Sequence, residues 1–236
     1  MNQGKLYLIP SALGEQGLAS ITEEVKRVVQ NIDIFIAEEK KSARRFLRSV
    51  GLQLEFSESN MISINKNKPD EVDESLLKKT LEGKNIGLLS EAGLPCIADP
   101  GNYWVKKAHK LGIEVQPLCG PSSIILALIA SGFNGQQFRF IGYLPMKSYE
   151  RNSFIKDLEK ISSFKNETQI FIETPYRNNV LLEELLSTCS PQTMLCIASC
   201  ITLPNEKIKT KKISEWKISK PDLHHKPTVF LLYAGN

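Results

Sequence analysis

The chain has 236 residues, of which 42% are hydrophobic and 24% charged, and its net charge is +4. This composition is ordinary for a globular protein, and the length suffices for one large domain or two smaller ones. The longest apolar run, residues 124–130, falls far short of the roughly 20 residues that a membrane-spanning helix needs, which excludes a membrane-spanning protein. The mild positive charge permits an anionic partner without requiring one.

The cysteines indicate reduced thiols rather than disulfides or a metal site. Their number is odd, most lie within apolar stretches, and their spacing is not that of paired metal ligands. Residues 1–5 also lack the apolar stretch of a signal peptide, so we predict a cytoplasmic protein. The three histidines form no convincing ligand set, and we predict no metal. The residues concerned are Cys96, Cys119, Cys189, Cys196, Cys200, His109, His224 and His225.

The first half of the chain alternates strand-like and helix-like segments. Ser20 with Glu23 predicts a capping box at the first helix, and Ser42 is a candidate cap for the second, which Gly51 ends. Such alternation predicts a mostly parallel sheet covered on both faces, with ligands bound beyond the carboxyl ends of its strands. The predicted strands are 6–9, 32–37, 86–89 and 113–118, the helices follow 20, 42, 71 and 101, and 57–69 is predicted as a loop.

The second half opens with the breaker Cys119-Gly120-Pro121 and an apolar helix at 122–130. Beyond it the pattern favours strands, with fewer helices between them. Lysine alternates with isoleucine near 207–213, as in half-exposed antiparallel strands. We therefore predict two domains, 1–118 and 119–236. The predicted strands are 138–141, 169–172, 194–198, 207–213 and 228–233.

The segment 90–101 follows a predicted buried strand and precedes a helix. Gly93 and Gly101 permit close backbone approach, while Pro95 and Pro100 restrict the path between them. One interpretation is a plain strand-to-helix turn in which Asp99 or Asn102 caps the helix. The other is a ligand-binding loop, favoured because the segment is longer than a simple turn needs.

Residues 120–123 place two serines at the start of an apolar helix. Serine there is usually a cap, and the same amide and hydroxyl donors are also suited to holding a ligand's polar groups.

A basic stripe follows the second predicted strand. Lys41, Arg45 and Arg48 share one helical face, opposite Ala43 and Phe46. Such a stripe is either a solvated surface or, at a strand's carboxyl end, a site for a phosphate-bearing substrate. The chain has neither GxGxxG after a strand nor a P-loop, so the common Rossmann fingerprint is missing.

Six segments in order resemble the tetrapyrrole methylase superfamily, and within it the branch that methylates a ribose 2′-hydroxyl in small-subunit ribosomal RNA. The segment 90–101 is similar to Ser-Asp-Ala-Gly-Thr-Pro-x-x-Ser-Asp-Pro-Gly of that branch, which is a specific match. The others are Leu8-Ile9-Pro10 with Gly14, residues 37–41, residues 120–123 continuing to Ser131-Gly132, residues 140–145, and Glu173-Thr174-Pro175-Tyr176-Arg177.

The resemblance implies a two-domain α/β fold with a mostly parallel N-terminal sheet, a mixed C-terminal sheet and S-adenosylmethionine in the cleft between them. It also implies a homodimer and an RNA substrate. The cofactor-binding residues that it implies are Pro10, Ser90, Glu91, Ala92, Gly93, Cys96, Ile97, Ser122, Ser123, Glu173, Thr174, Pro227 and Thr228.

Lys40, Lys41, Arg44 and Arg45 are the predicted phosphate-binding residues. A ribose hydroxyl is a poor nucleophile, so a nearby base is useful, and Glu39 is the candidate. Its alternative role is to pair with Lys41 or Arg44.

The chain also departs from that branch on the substrate side. Residues 199–203 read Ser-Cys-Ile-Thr-Leu where the branch has Arg-Glu-Leu-Thr-Lys, so three charged groups are lost. Glu39, Lys40 and Lys41 replace Asp, Thr and Arg, and residues 56–60 replace a segment that contains histidine. Two alternatives to RNA ribose methylation therefore stay open. One is methylation of a small molecule or protein side chain, and the other is cofactor binding with little catalysis.

Overall fold

The computed structural model of the protein describes residues 3–65 and 67–235. The chain divides into two compact units between Ser122 and Ser123. The boundary predicted from the sequence follows Leu118, a few residues earlier. Within the described residues, no helix combines the length and apolar character that crossing a membrane requires.

The first unit is built on a five-stranded parallel sheet with the order β3-β2-β4-β1-β5. Two of its three inner strands, β2 and β4, are buried along their whole length, which explains why they are almost continuously apolar. Leu47 and Val25 pack on one face of the sheet, and Trp104 and Leu77 on the other. The strands are β1 Leu6–Ile9, β2 Ile34–Ala37, β3 Met61–Ser63, β4 Ile86–Leu89 and β5 Val115–Pro117.

The helices of this unit are α1 Glu23–Val29, α2 Lys40–Ser49, α3 Glu74–Lys78 and α4 Asn102–Lys110. Two predicted caps are wrong. Thr22, not Ser20, caps α1 through its hydroxyl, which accepts the Val25 N–H at 3.3 Å. Glu39, not Ser42, caps α2. In both cases the cap is the residue whose backbone is still extended while the next one is helical, and side-chain type alone does not reveal that position.

The predicted loop at 57–69 contains β3, so that prediction is also wrong. Met61 is fully buried and pairs with Phe35 of β2. The strand has only three residues and lies at the sheet edge between polar flanks, so its apolar signal is too short to recognise.

The second unit contains a mixed sheet with the order β6-β7-β10-β8-β9. β6 is parallel to β7, and the other pairs are antiparallel. Phe171 and Phe230, whose ring centroids lie 6.0 Å apart, form the centre of its core. The strands are β6 Phe138–Tyr143, β7 Thr168–Ile172, β8 Met194–Ser199, β9 Lys207–Lys212 and β10 Thr228–Tyr233, and the helices are α5 Ser123–Ser131, α6 Ser148–Lys165, α7 Asn178–Thr188 and α8 Ile213–Ile218.

The two sheets confirm the predicted fold class, but this unit is richer in helix than the sequence indicated. The longest helix, α6, was missed because charged and polar residues interrupt its buried stripe. Arg151 is only 6% exposed, and its guanidinium pairs with Glu184 of α7. Because this buried ion pair places a charged residue at a core position of α6, the amphipathic pattern of the helix is hard to recognise in the sequence.

Candidate functional site

The carboxyl ends of the strands of the first sheet are joined by backbone and side-chain hydrogen bonds. Beyond β1, the Ser11 N–H donates to the Gly93 carbonyl at 2.9 Å, and the Gly93 N–H donates to the Ser11 carbonyl at 3.0 Å. The Ser11 hydroxyl donates to the carbonyl of Ser90 at 2.9 Å. The loop after β1 and the loop after β4 therefore form one connected edge.

The turn at 90–93 is constrained by its own residues. The Ser90 hydroxyl donates to the Gly93 carbonyl at 3.1 Å. Gly93 has φ +74°, and a Cβ there would lie 3.2 Å from Leu13, so both conformation and space favour glycine. Gly120, beyond β5, packs against Pro10 so closely that a Cβ would lie 2.2 Å from the proline ring.

Asp99 organises the rest of the 90–101 loop. Its carboxylate accepts the Cys96 N–H at 2.9 Å and the Gly101 N–H at 2.7 Å. Cys96 and Ala98 both have positive φ, at 70° and 62°, and such backbone strain is frequent at ligand sites. The N-cap of α4 is Gly101, without a side-chain bond, so the interpretation of Asp99 or Asn102 as the cap is wrong.

Burial shifts the pKa values of Cys96 and Asp99 in this loop. It raises the pKa of the Cys96 thiol to about 12, with a further contribution from the charge of Asp99. It also raises the pKa of Asp99, although the two backbone N–H donors oppose that shift. Cys96 is thus a neutral thiol at physiological pH and is unsuited to nucleophilic chemistry.

The loop offers polar donors at its surface. Ala92 and Ile97 are exposed, and within residues 3–65 and 67–235 no acceptor is bound to either backbone N–H. Backbone N–H groups without an acceptor, in a loop that also exposes the apolar Ile97 side chain, suit a ligand that combines an apolar part with carboxylate or hydroxyl groups.

Glu39 lies at the end of β2, the strand next to β4. Its carboxylate accepts the backbone N–H of Lys41 at 3.1 Å. In the described part of the chain it forms no ion pair with the side chain of Lys41 or Arg44, so the predicted alternative of pairing is not what the structure shows. The carboxylate acts as the helix cap.

Most cations of α2 are already engaged. Lys40 pairs with Glu58, and Arg45 pairs with Glu15. Arg44 and Arg48 each lie 5.8 Å from the centroid of the Phe56 ring. Beside Arg45 a groove of about 310 Å³ is lined by Ala12, Gly14, Glu15, Leu18, Ser42, Arg45, Phe46, Ser49 and Glu91.

In the second unit, the remaining predicted residues meet at one edge of the mixed sheet, termed here the second-unit edge. Glu173 follows β7 and Thr228 begins β10, where Val229 pairs with Ile172. The Cys200 N–H donates to the Pro227 carbonyl at 2.8 Å, which brings the end of β8 to the same edge. The second-unit edge comprises Glu173, Thr174, Pro227, Thr228, Ser199 and Cys200.

Glu173 is buried, and its carboxylate binds residues of the turn that follows β7. Its carboxylate accepts the Thr174 N–H at 2.6 Å and the Arg177 guanidinium at 3.0 Å. Nearby, Cys200, Thr202 and His225 have positive φ, at 54°, 67° and 55°. The uncharged segment 199–203 is therefore a strained connection rather than a surface loop of ordinary geometry.

The model of the family described as Tetrapyrrole (Corrin/Porphyrin) Methylases matches residues 5–217. The chain belongs to this family. It is a methyltransferase, and the family expected from the sequence motifs is confirmed.

Curated relatives cover nearly the whole chain. The Ribosomal RNA small subunit methyltransferase I of Escherichia coli O157:H7 is 32% identical over 238 residues, which cover 100% of this chain and 79% of the relative. The protein of the same name from Vibrio cholerae is 29% identical, covering 98% of this chain and 77% of the relative. That from Buchnera aphidicola subsp. Schizaphis graminum is 30% identical, covering 98% and 79%.

Solved structures of the same fold are more distant in sequence. The methyltransferase CobJ has a TM-score of 0.62 and 16% identity, and the match covers 98% of this chain and 94% of that one. Uroporphyrin-III-C-methyltransferase from Thermus thermophilus has a TM-score of 0.55 and 17% identity, covering 98% and 92%.

Within each unit, the residues predicted to bind the cofactor lie together. Pro10 and residues 90–97 share the edge of the first sheet, and Glu173, Thr174, Pro227 and Thr228 share the second-unit edge. Ser122 and Ser123 lie at the division between the units. Their contact with a cofactor stays a prediction.

Sequence reasoning missed the residues that support the site in this methylase. Ser11 and Gly120 lie beside predicted site residues but were not themselves predicted to belong to the site, and Asp99 was given no role other than a cap. The signal for Asp99 was its place two residues before a glycine in a loop, where an aspartate commonly accepts backbone N–H groups. In the described part of the chain, no group of three or more His, Cys, Asp or Glu side chains is placed to hold a metal ion.

Proposed function

We propose that the protein transfers the methyl group of S-adenosylmethionine to a ribose 2′-hydroxyl in the RNA of the small ribosomal subunit. The observation that carries the proposal is similarity over the whole chain to proteins named for small-subunit ribosomal RNA methylation. The joined edge of the first sheet supports the cofactor half of the proposal, and the cations of α2 support the RNA half.

The residues present fit S-adenosylmethionine. That molecule has an amino acid end, a ribose and an adenine, so it needs both hydrogen-bond donors and apolar contacts. The backbone N–H groups of Ala92 and Ile97, which have no acceptor among the described residues, and the exposed apolar side chain of Ile97 provide both kinds of contact. We assign Pro10, Ser90, Glu91, Gly93 and Cys96 to the same group of cofactor contacts. Further cofactor contacts are assigned to Ser122, Ser123, Glu173, Thr174, Pro227 and Thr228.

The sulfonium of the cofactor supplies an already activated methyl group, so the protein must chiefly align that group with the acceptor oxygen. We propose Glu39 as the base that takes the proton of the ribose hydroxyl. Its Oε1 is held by the Lys41 N–H, which orients the carboxylate. No described residue donates a hydrogen bond to Oε2, which is the atom assigned to the proton.

Lys40, Lys41, Arg44 and Arg45 are assigned to RNA phosphates. Surface ion pairs such as Lys40 with Glu58 and Arg45 with Glu15 are worth only about 0–1 kcal/mol, so phosphates can displace these carboxylates.

Two further expectations belong to this proposal. The protein acts in the cytoplasm, in keeping with buried, unpaired Cys189, Cys196 and Cys200. It forms a homodimer, as the family resemblance implies. Sedimentation of the full chain measures the second expectation, and a monomer at micromolar concentration contradicts it.

The test is transfer of label from S-adenosylmethionine carrying a tritiated methyl group to purified small ribosomal subunits. A 2′-O-methyl group protects its phosphodiester from alkali, so we expect the label in an alkali-resistant dinucleotide. Label in ribosomal protein, or none with intact cofactor binding in calorimetry, overturns the RNA assignment. No saturable cofactor binding overturns the whole proposal.

Variants at Asp99 test the cofactor half separately. Asp99→Ala leaves the Cys96 and Gly101 N–H groups without their acceptor, and loss of buried hydrogen bonds costs on the order of 1–3 kcal/mol. Asp99→Asn keeps Oδ1, which accepts both N–H groups at 3.0 Å and 2.7 Å, but replaces Oδ2, which accepts the Cys96 N–H at 2.9 Å, by an NH2 donor. We expect calorimetry to show the weakest cofactor binding for the alanine variant and an intermediate affinity for the asparagine variant. Equal S-adenosylmethionine binding by the wild type and both variants shows that the loop is not part of the cofactor site.

A further inference from the structure

Strand β9 carries a concentration of positive charge that the proposed site does not use. Four of its six residues are lysine, in the sequence Lys-Ile-Lys-Thr-Lys-Lys. The strand lies at the edge of the mixed sheet, where it pairs only with β8. Because side chains alternate along a strand, Lys207, Lys209 and Lys211 share one face. These three residues are called the lysine row.

No carboxylate neutralises the lysine row. Within residues 3–65 and 67–235, none of its three ammonium groups forms an ion pair. The acidic residues nearest in sequence are engaged elsewhere, since the Glu206 carboxylate accepts the Thr202 N–H at 2.7 Å and that of Glu215 accepts the Lys212 N–H at 2.8 Å. The residues opposite the row on β8 are uncharged: Ser199, Ile197 and Leu195.

The row is also held in place at one end. The Lys211 ammonium lies 4.9 Å from the ring centroid of Trp216, which is only 4% exposed and donates to the Leu195 carbonyl at 2.9 Å. A cation held over a fixed ring keeps its direction better than a lysine in open solvent.

The row begins at the second-unit edge and leads away from it. Lys207 pairs with Ser199, and Ser199 pairs with Thr228, one strand further into the sheet. Lys209 and Lys211 follow at steps of roughly 6.8 Å, so the row extends about 14 Å from the edge. A charged track of this length matches a few nucleotides of a phosphate backbone.

We propose that the lysine row binds the phosphate backbone of the RNA substrate, as a contact separate from α2. The inference rests on the proposed function, since it takes RNA as the substrate. Lysine contacts phosphate as a point charge, without reading base sequence, so the row contributes affinity and orientation rather than choice of the methylated nucleotide.

Lysines on an edge strand have another known role, which is to prevent pairing with a second copy of the chain. Reversing the charge separates the two roles. Glutamate at the same positions keeps the edge charged, so it still opposes strand pairing, whereas it repels phosphate. The decisive variant is therefore the triple change Lys207→Glu, Lys209→Glu and Lys211→Glu in the full chain.

The matched control is the triple change Lys156→Glu, Lys160→Glu and Lys165→Glu on exposed positions of α6. It alters the net charge of the same unit equally. Binding of each protein to small ribosomal subunits and to a fluorescein-labelled oligouridylate is measured between about 50 and 200 mM salt, where phosphate contacts change affinity strongly. Size-exclusion chromatography and circular dichroism establish that each variant is folded and has the oligomeric state of the wild type.

We expect the row variant to bind RNA at least about tenfold more weakly at physiological salt and to lower the magnitude of the salt slope by about 2, with a much smaller change in the control. Calorimetry with S-adenosylmethionine should give the same affinity for both. Equal RNA binding and equal slopes for row variant and control overturn the inference. Self-association of a Lys→Gln row variant that still binds RNA normally overturns it in favour of edge protection.

Failure of the inference and failure of the proposed function give different results. If the wild-type protein and the row variant both transfer methyl groups to small subunits with the same KM, only the proposed role of the lysine row is refuted. If wild-type protein binds neither subunits nor oligouridylate, the RNA assignment itself is wrong.

Discussion

The two basic regions of this methylase are built differently. The cations of α2 lie among acidic partners, with Arg45 bound to Glu15 and Lys40 bound to Glu58. The lysine row on β9 has no such partner among the described residues. Two of the five cations of α2 are thus neutralised in the folded protein, whereas none of the lysine row is, within the described residues.

This difference matters because exposed ion pairs add little stability but do screen charge. A pair on the surface contributes roughly 0–1 kcal/mol, so RNA can displace it at small cost. The uncompensated row gains the full counterion-release term without breaking any pair. We therefore expect the row to dominate encounter with RNA, while α2 acts close to the proposed site.

In both regions, cations lie over an aromatic ring. Replacing those rings should give the largest changes in the free energy of unfolding. Trp216→Ala removes a side chain that is 4% exposed and a hydrogen bond to Leu195, so we expect a loss of about 3–5 kcal/mol in the free energy of unfolding. Phe56→Ala, where the half-buried ring carries Arg44 and Arg48, should cost about 2 kcal/mol. Urea unfolding measures both, and an equal cost contradicts the expectation that the more deeply buried ring contributes more to stability.

Removing cations from α2 should weaken RNA binding less than reversing the lysine row. For Lys41→Ala with Arg45→Ala we expect up to about a tenfold loss of affinity and a decrease of about 1 in the magnitude of the salt slope. The control is Lys106→Ala with Lys110→Ala, on exposed positions of α4 in the same unit. If the control weakens binding equally, only net charge matters and the helix has no special part.

Releasing a cation on α2 should do the opposite. Glu15→Gln frees Arg45 from its partner, so we expect RNA to bind about two- to threefold more tightly, as one additional phosphate contact requires. Glu23→Gln, which releases Lys26 on α1, is the matched control. Tighter binding by both variants, or by neither, contradicts a role for the Glu15–Arg45 pair in masking the helix.

The smallest effect is expected at Glu58, whose ion pair with Lys40 lowers the pKa of the Glu58 carboxyl. A lowered carboxyl pKa means that the pair stabilises the fold above the ordinary glutamate value and is lost as pH falls through the folded value. Because the group is exposed, Glu58→Gln should shift Tm by less than about 2 °C at neutral pH, and by still less in acid. Calorimetric melts at several pH values measure this, and a large shift at neutral pH contradicts a solvent-screened pair.

Much of the fold follows from apolar patterns. The runs at 6–9, 86–89 and 228–233 form strands within or next to their predicted bounds because buried strands must be nearly continuous in apolar residues. The 90–101 loop was recognised because two glycines and two prolines between a strand and a helix have few alternative uses. The pattern failed where a charged residue is buried, as at Arg151, or where the strand is very short, as at β3.

The sequence by itself therefore determined the strands other than β3, the family and the loop at 90–101, since each depends on patterns of residues close together in the chain. Tertiary structure alone decided which cations are neutralised. Glu15 meets Arg45 across 30 positions of sequence, and Glu58 meets Lys40 across 18, because the loops after β1 and before β3 return to α2. Charge pairing depends on separations of a few ångströms that no local pattern encodes, and this is why the basic stripe of α2 was visible in the sequence while its masking was not.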